Sequence, residues 1–274
     1  MAGTPAREAL DSAVVALSAA GVDTPRLDAE VLLAHALGVD RAALVMDRDR
    51  AVEGAAVRVF QTAVRRRAFD REPVAYITGV KGFRHLELLV DPRVLVPRPE
   101  TETLVEAALD ALPRGARVVD VGTGSGAIAL ALKDERPDLE VTGTDVSEDA
   151  LAVARANGER LGLEVAFARA DLLAGVGEFD AVVSNPPYVE DGAQLAPEIV
   201  RHEPSLALRA GPEGLDVLRL LVPAAAALAA GVLAVEVGAG QAVAVEELAR
   251  AAGFARSERR RDLAGVERVV VAWR

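Results

Sequence analysis

Apolar residues recur at helical spacing in the first part of the chain, up to about residue 70. The clearest predicted helix starts at Thr24 and Pro25, with proline at the first helical position, and ends before Gly38. Further helices are predicted over residues 41–46 and 51–69. The helical pattern stops at Glu72, because a residue that precedes a proline is disfavoured in helical geometry. We therefore predict a small all-α domain over residues 1–73.

The pattern changes in the next stretch, YITGVKGFRHLELLVDP (76–92). Short runs of strand-forming residues surround Gly79 and Gly82 there, which is typical of a β-hairpin. We expect this hairpin to form a structured linker over residues 74–96.

From residue 97 onward, apolar runs typical of buried strands alternate with helical segments. The first helix is predicted within residues 97–112, where prolines and acids mark its start. Strands are predicted over residues 117–122, 140–145, 164–171, 179–184, 231–237 and 267–273, with a weaker one near 254–261. Such alternation predicts an α/β fold over residues 97–274, a Rossmann-like, seven-stranded, mostly parallel sheet with helices on both faces. Ligands of such sheets bind outside the carboxyl ends of the strands.

The composition is typical of a globular protein and disfavours a membrane span and a metal site. Of the 274 residues, 51% are hydrophobic and 27% are charged, as in an ordinary globular protein. The most apolar stretch, residues 220–237, is interrupted by Pro223, Gly231 and Glu236, so a helix followed by a buried strand is predicted rather than a membrane span. The start of the sequence is not the basic one of a secretory signal, and we expect a cytoplasmic protein. With no cysteine and three scattered histidines, no metal site is predicted.

Charge argues against a nucleic-acid partner. The net charge is −11 at pH 7, and it is uneven: residues 1–80 hold 10 arginines and 11 acidic residues, while residues 81–274 hold 21 basic and 31 acidic residues, a net of −10. Binding to a phosphate backbone requires clustered lysine and arginine. We therefore predict no stable nucleic-acid binding and no membrane association.

A glycine-rich turn follows the first strand of the predicted sheet, in DVGTGSGAIAL (120–130). Gly122, Gly124 and Gly126 allow the backbone to approach a ligand, and the helix that follows has free N–H groups at its start. The spacing is G-x-G-x-G, whereas a dinucleotide site has G-x-G-x-x-G, so binding of a pyrophosphate is not favoured.

Acids end the next two strands. Asp145 follows Gly124 by about 20 residues, at a position where an acid binds the two hydroxyls of a ribose. Asp171 is followed by Leu172, a pair suited to an adenine amine and ring. Either acid alone could equally cap a strand or a helix, but three strand ends in register favour a binding site. An adenosine without phosphates, beside acids, is what S-adenosylmethionine presents.

The fourth strand leads into SNPPYVE (184–190). Pro186 and Pro187 have a fixed φ angle and no N–H, and Asn185 precedes a proline, so the loop is stiff and extended. Carbonyl groups and the Asn185 side-chain oxygen are then available to accept hydrogen bonds from a planar NH₂ group, and the Tyr188 ring can cover a flat group. Such a site suits methyl transfer to a poor nitrogen nucleophile, because acceptors at the N–H bonds stabilise the positive charge that develops on nitrogen.

These segments together resemble the release-factor glutamine methyltransferases (the HemK/PrmC type). The resemblance covers nearly the whole chain and rests on LDAEVLLAHALG, EPVAYITG, VLVPRPETETLVE, DVGTGSGAIAL, SNPPY and EPSLAL. NPPY alone is shared with DNA adenine and ribosomal-RNA guanine methyltransferases. The specific part is PRPETE (97–102) together with EPSLAL (203–208).

The resemblance implies a cofactor, a partner and roles for individual residues. The cofactor is S-adenosyl-L-methionine, with S-adenosyl-L-homocysteine as product, and the partners are class I peptide chain release factors, methylated on the side-chain amide of the glutamine in a Gly-Gly-Gln motif. The helical domain would recognise this substrate. Cofactor contacts are implied for Gly122, Thr123, Gly124, Ser125, Gly126, Asp145, Asp171, Leu172 and Asn185. Substrate contacts are implied for Asn185, Pro186, Pro187 and Tyr188, and catalytic roles for Asn185, Pro186 and Tyr188. Leu172 departs from the family pattern, which often has a large aromatic residue there.

Two alternatives stay open from the sequence. The same chemistry could act on an exocyclic amine of a nucleic-acid base, DNA adenine or ribosomal-RNA guanine, but such an enzyme needs a basic face, against which the net charge of −10 speaks. A non-catalytic interaction protein is the second alternative, and the intact NPPY and glycine segments disfavour it.

Overall fold

A computed structural model describes residues 3–228 and 230–274 of the chain. The start of the predicted helical domain, Met1 and Ala2, and Ala229 in the apolar stretch lie outside the described residues. The helices, in chain order, are α1 (Ala6–Ala19), α2 (Pro25–Leu37), α3 (Arg41–Met46), α4 (Ala55–Arg65), α5 (Val74–Thr78), α6 (Thr101–Ala111), α7 (Ala127–Glu135), α8 (Glu148–Leu161), α9 (Pro197–His202), α10 (Asp216–Ala227) and α11 (Ala242–Ala251). The strands are β1 (Thr4–Pro5), β2 (Ala51–Val52), β3 (Val80–Phe83), β4 (Leu86–Leu89), β5 (Arg117–Val121), β6 (Glu140–Asp145), β7 (Ala166–Arg169), β8 (Ala181–Ser184), β9 (Val232–Glu236), β10 (Arg256–Arg261) and β11 (Glu267–Trp273).

The chain forms two compact units. One comprises Met1–Gly79 and Leu195–His202, and the other comprises Val80–Gln194 and Glu203–Arg274. Among the described residues, none of the helices could span a lipid bilayer.

The first unit is helical, as the apolar spacing predicts. Helix α2 begins at Pro25 and ends at Leu37, and Gly38 after it adopts a left-handed conformation with φ 64°. The predicted helix over residues 51–69 is shorter than expected. Ala51 and Val52 instead pair with β1, and Gly54, with φ 61°, separates them from α4, which leads into a π-helical turn at Arg66–Asp70.

A buried cluster of ion pairs explains why residues 195–202 belong to the helical unit. Arg67, which is 6% exposed, bonds to Asp28 at 2.7 Å and to Glu198 at 3.2 Å. Glu198 also accepts a hydrogen bond from Arg71 at 2.8 Å. Because Glu198 lies in α9, these contacts fix the 195–202 segment within a unit whose other residues come from the start of the chain.

The two compact units divide the predicted linker between them, with the boundary after Gly79. Its first residues form α5, where Ile77 packs in the core of the helical unit. The β3–β4 hairpin belongs instead to the second unit, because Phe83 and Leu88 pack against helix and sheet residues there. Asn157 of α8 adds hydrogen bonds to both the N–H and the C=O of Leu89, at 2.7 Å and 3.0 Å. The assignment of residues 1–73, 74–96 and 97–274 to recognition, linker and catalysis stays a proposal.

The second unit contains the predicted seven-stranded sheet, and the predicted fold class is confirmed. Its strand order is β10-β11-β9-β8-β5-β6-β7. Strands β9, β8, β5, β6 and β7 are parallel, while β11 pairs antiparallel with both β9 and β10. Neighbouring residues of one strand point to opposite faces, so that Val118 packs in one core and Val119 in the other. Helices cover both faces, which is why these strands are continuously apolar.

Candidate active site

Strands β5 and β8 are neighbours in the sheet. From β5 the chain continues to β6 and β7 on one side, and it then returns to β8 and β9 on the other side, so the strand order reverses between β5 and β8. This is where a doubly wound sheet opens a crevice at its carboxyl edge. A cavity of about 310 Å³ lies there, and its lining includes residues from the loops that follow β5, β6, β7 and β8. The four predicted strand ends therefore meet at one site.

The glycine loop bends tightly after β5. Gly122, Gly124 and Gly126 have φ angles of 73°, 55° and 82°, in the left-handed region that other residues rarely adopt. The N–H groups of Gly122 and Thr123 both donate to the carbonyl oxygen of Thr144, at 2.8 Å each. The loop is thus anchored on β6 and leads directly into α7, whose first N–H groups have no partner within the helix.

Asp145 holds the glycine loop from the neighbouring strand. Its Oδ2 accepts a hydrogen bond from the N–H of Gly124 at 3.0 Å, and its Oδ1 accepts one from the N–H of Ser147 at 2.9 Å. The side chain therefore acts as a loop cap, the alternative that the sequence left open. A carboxylate has about four acceptor positions, so these two bonds leave capacity for the hydroxyls of a ligand.

Asp171 and Leu172 line the same cavity beyond β7. Leu172 has a φ of 51°, which is uncommon for a residue other than glycine, and it packs against the core formed with α10 and α11. Strained backbone of this kind persists where the surrounding structure fixes it, and it concentrates at binding sites. A leucine side chain is consequently held at the cavity wall by its own packing.

Asn185 has a defined side-chain orientation. Its Nδ2 donates a hydrogen bond to the Oγ1 of Thr101 at 3.0 Å, and Thr101 is 4% exposed. Among the described residues, no partner contacts the Asn185 Oδ1 within hydrogen-bonding distance. One N–H of the amide is thus engaged with the protein, and the Oδ1 acceptor is available at a cavity-lining position.

Tyr188 is anchored away from the cavity lining. Its hydroxyl donates to the Oε1 of Glu236 at 2.9 Å, and its carbonyl oxygen accepts from the Nε2 of Gln241 at 3.1 Å. Burial raises the pKa of the Tyr188 hydroxyl, and the adjacent Glu236 carboxylate raises it further. Burial also raises the pKa of Glu236. The ring-covering role that the sequence suggests for Tyr188 stays a prediction, since the structure gives this residue an anchoring contact.

The two segments that distinguish the sequence resemblance contact each other. Arg98, in PRPETE, forms an ion pair with Glu203, in EPSLAL. The distance between the Arg98 Nη2 and the Glu203 Oε1 is 2.5 Å. The Oε2 of Glu203 accepts from the N–H of Val96 at 3.2 Å, and the Glu203 side chain is 1% exposed. Thr101 is in the same PRPETE segment, so this segment also holds Asn185.

The cavity brings most of the predicted site residues together. Those at its wall are Gly122, Thr123, Gly124, Ser125, Asp145, Asp171, Leu172, Asn185, Pro186 and Pro187. Gly126 and Tyr188 are not at the wall formed by the described residues: Gly126 precedes the first residue of α7, and Tyr188 is bound to Glu236. Their predicted ligand contacts stay predictions.

Comparison with known proteins identifies the family. The family model of the PrmC N-terminal domain matches residues 8–79, and that of the methyltransferase small domain matches residues 99–255. A release factor glutamine methyltransferase of Deinococcus radiodurans is 45% identical over 276 residues, which cover 98% of this chain and 98% of that protein. A second, of Rhodospirillum rubrum, is 44% identical over 273 residues, which cover 97% of this chain and 84% of that protein. The chain belongs to the release factor glutamine methyltransferase family.

The resemblance drawn from the sequence is therefore confirmed, and a solved structure agrees with the fold. A methyltransferase from Pyrococcus furiosus matches with a TM-score of 0.54 at 20% identity, over 70% of this chain and 91% of that one. The two chains thus share a fold over this part of the molecule.

Several residues that shape the site were missed by sequence reasoning. Asp120 and Glu236 are both fully buried, although each is a charged residue within an apolar strand, and that exception was a usable signal. Thr101, Arg98 and Glu203 lie in segments that the sequence marked as specific to the glutamine methyltransferases without assigning them a role. Their contacts join residues far apart in the chain, which a local pattern does not reveal.

Proposed function

We propose that this chain transfers a methyl group from S-adenosyl-L-methionine to the side-chain amide nitrogen of the glutamine in the Gly-Gly-Gln motif of class I peptide chain release factors. The observation that carries the proposal is the Asn185 amide: one of its N–H groups bonds to Thr101, and its oxygen acceptor is available at the wall of the cavity. Family membership supports the choice of an amide in a release factor over other nitrogen nucleophiles.

The residues at the cavity fit S-adenosyl-L-methionine. Asp145 has spare acceptor positions for the ribose hydroxyls, the glycine loop exposes backbone beside them, and Asp171 with Leu172 offers an acid and an apolar surface for the adenine. When bound, this cofactor supplies a methyl group on a sulfonium cation. The net charge of −10 over residues 81–274 is favourable for a cationic ligand.

A loss of cofactor affinity is expected in Asp145→Ala. The variant should bind S-adenosyl-L-methionine more weakly by about 1.5 to 3 kcal/mol, the range for hydrogen bonds to a charged group. Asp145→Asn is the matched control, because it keeps one acceptor for the N–H of Gly124 and should lose less. Isothermal titration calorimetry, with melting temperatures beside it, measures both. Unchanged affinity in the alanine variant would remove Asp145 from the cofactor site.

The NPPY loop supplies acceptors for the substrate. The Oδ1 of Asn185 accepts a hydrogen bond from the N–H₂ group of the substrate glutamine, and Pro186 and Pro187 hold the loop extended because their rings fix φ. The new bond from the amide nitrogen to the methyl carbon would form as the bond from that carbon to the sulfonium sulfur breaks, which would leave a neutral thioether. The nitrogen would gain positive charge, and a fixed acceptor would stabilise that charge more in the transition state than in the ground state. The product amide then loses its extra proton to water, since a protonated amide nitrogen is a strong acid.

A folded protein partner is favoured over a nucleic acid. The cavity wall holds Arg93, Arg98 and Arg209, but Arg93 is paired with Asp91 and Arg98 with Glu203. Residues 81–274 carry a net charge of −10, which is unfavourable for binding to a phosphate backbone. The helical unit is the proposed recognition module for the release factor. Methylation of an exocyclic amine of a nucleic-acid base is the alternative function. A cytoplasmic location stays a prediction.

The proposed function is tested with cofactor labelled on its methyl group. We expect transfer to an intact class I release factor, and a kcat/KM at least about tenfold lower on an isolated Gly-Gly-Gln peptide, because remote contacts supply binding energy that positions the amide. A release factor whose motif reads Gly-Gly-Glu is the matched control and should accept no label. Transfer to DNA or ribosomal RNA, with none to the release factor, would contradict the proposal.

A further inference from the structure

The side chain of Gln241 connects three loops of the second unit. Gln241 directly precedes α11, and its Nε2 donates to the carbonyl oxygens of Tyr188 and Glu213, at 3.1 Å each. A longer contact of 3.4 Å joins the same nitrogen to the carbonyl oxygen of Gly214. The Oε1 of Gln241 accepts from the N–H of Gly238 at 2.8 Å. One amide thus holds together the NPPY loop, the loop before α10 and the loop after β9.

These hydrogen bonds fix the orientation of the Gln241 amide. A side-chain amide has donors only on its nitrogen and acceptors only on its oxygen. The carbonyl oxygens of Tyr188 and Glu213 only accept, and the N–H of Gly238 only donates, so a flipped amide would lose all three bonds. The donor side of Gln241 is therefore directed at the NPPY loop.

Two glycines allow the loops to pack this closely around Tyr188. A Cβ at Gly214, whose φ is 66°, would lie 2.1 Å from the carbonyl oxygen of Tyr188 and 2.7 Å from the Nε2 of Gln241. A Cβ at Gly238 would lie 2.8 Å from the Oε1 of Gln241 and 3.3 Å from the Cδ2 of the Tyr188 ring. A side chain at either position would therefore displace Gln241 or Tyr188, since a packed interior has no room to absorb it.

The NPPY loop is stiff between its two fixed ends. Its first residue, Asn185, directly follows β8, and its last residue, Tyr188, is held by Gln241. Pro186 and Pro187 lie between them, and their rings fix φ. A displacement at Tyr188 would therefore reach Asn185 instead of being absorbed within the loop.

We propose that Gln241 is a positioning residue for methyl transfer, which acts on the NPPY loop through the carbonyl group of Tyr188. Gln241 is not among the described residues at the cavity wall, so its effect reaches the substrate only through the loop. The inference rests on the proposed function, because its consequence in catalysis is the position of the Asn185 oxygen. Loss of the Gln241 donors should lower the rate of the chemical step and change cofactor affinity far less.

The Gln241→Glu variant tests this role, because it replaces the NH₂ group by oxygen and keeps the shape of the side chain. The new oxygen would face the carbonyl oxygens of Tyr188 and Glu213, to which it cannot donate. We expect a single-turnover rate about 10- to 100-fold lower at saturating cofactor and release factor, with a cofactor Kd within about threefold. Gln241→Met removes the donors without adding a charge, and its rate should lie between those of Gln241→Glu and the unsubstituted enzyme.

A double-mutant cycle distinguishes positioning from a general loss of structure. In the Asn185→Ala background, the loss from Gln241→Glu should be at least about threefold smaller, since the oxygen that is positioned is already absent. Gln61→Glu is the matched control, because it makes the same substitution at an exposed position of α4. It should leave the single-turnover rate and the melting temperature unchanged.

The hydrogen bonds of Gln241 are also measurable without activity. The chain contains three glutamines, Gln61, Gln194 and Gln241, and the first two are exposed. In protein labelled with ¹⁵N at glutamine side chains, the NH₂ protons of Gln241 should exchange at least about tenfold more slowly than those of the other two. The missing signal in Gln241→Met assigns them.

Three results would overturn the inference: full activity in a normally stable Gln241→Glu variant, an equal loss from this substitution with and without Asn185, or equal NH₂ exchange in all three glutamines. Failure of the proposed function has a different signature. The unsubstituted enzyme would then leave the release factor unmethylated, while the NH₂ protons of Gln241 would still exchange slowly.

Discussion

Replacing Asn185 by alanine should slow methyl transfer by about 10²- to 10³-fold, which corresponds to roughly 2.7 to 4 kcal/mol for one preorganised transition-state group. The substituted side chain has no oxygen to accept from the substrate N–H group as charge develops on its nitrogen. Single-turnover rates with saturating cofactor and intact release factor measure this loss. Affinity for the cofactor should change less than the rate, because the proposed effect lies in the transition state.

The Asn185→Asp variant distinguishes a role of Asn185 as an acceptor from a purely structural role of the loop. The variant keeps an acceptor but loses the NH₂ donor that bonds to Thr101, so we expect an activity below that of the unsubstituted enzyme and above that of Asn185→Ala. If the loop only supported the fold, both variants would behave alike and the loss would follow the melting temperature. An active, normally stable alanine variant would contradict the mechanism.

The second large effect concerns stability and comes from Asp120. This side chain is 0% exposed; its Oδ2 accepts from the Thr123 hydroxyl at 2.6 Å and from the N–H of Ala129 at 3.2 Å, while its Oδ1 has no partner among the described residues. Burial is the largest influence and raises the pKa of Asp120 to about 7, the charge of Asp145 adds to the rise, and the two hydrogen bonds oppose it. An unfolded chain would ionise this group near its ordinary pKa of 3.8.

The sign of the effect follows from proton counting. Below about pH 4 the group is protonated in both states, whereas between about pH 4 and pH 7 the folded state retains a proton that the unfolded state has lost. The Asp120 contribution therefore lowers the free energy of unfolding as the pH rises, by about 4 kcal/mol in total, and the loss is complete above about pH 7. Asp120→Asn stays neutral, and relative to the unsubstituted protein it should gain stability across this window.

Denaturant unfolding of both proteins at several pH values between about 4 and 8 measures this difference. Subtracting one profile from the other removes the contributions of the other titrating groups, which the two proteins share. A difference that stays constant with pH would show that Asp120 does not retain a proton in the folded state.

The sequence predicts the sheet well because each strand is a local signal. The run RVVDVG needs no distant partner to be recognised as buried, and the structure has β5 there. The glycine turn is also a local signal. The sequence predicts that Gly122 and Gly124 serve the turn through their conformational freedom, and both have positive φ angles.

Other features depend on contacts that no local pattern encodes. Thr101 and Asn185 are 84 residues apart, and their hydrogen bond depends on how α6 and β8 are placed within the second unit. Glu198 joins Arg67 across 131 residues, so the sequence pattern gave no sign that 195–202 belongs to the helical unit. Leu172 at φ 51° is imposed by its surroundings, because its residue type favours no such conformation.

We propose that the acceptors of the NPPY loop direct methylation to a glutamine amide in a release factor. Tandem mass spectrometry of the release factor, after incubation with enzyme and cofactor, locates the added methyl group. We expect one methyl group on the side-chain nitrogen of the glutamine in Gly-Gly-Gln, and none when Asn185→Ala enzyme is used for the same time. A methyl group on another residue, or equal modification by the Asn185→Ala enzyme, would contradict it.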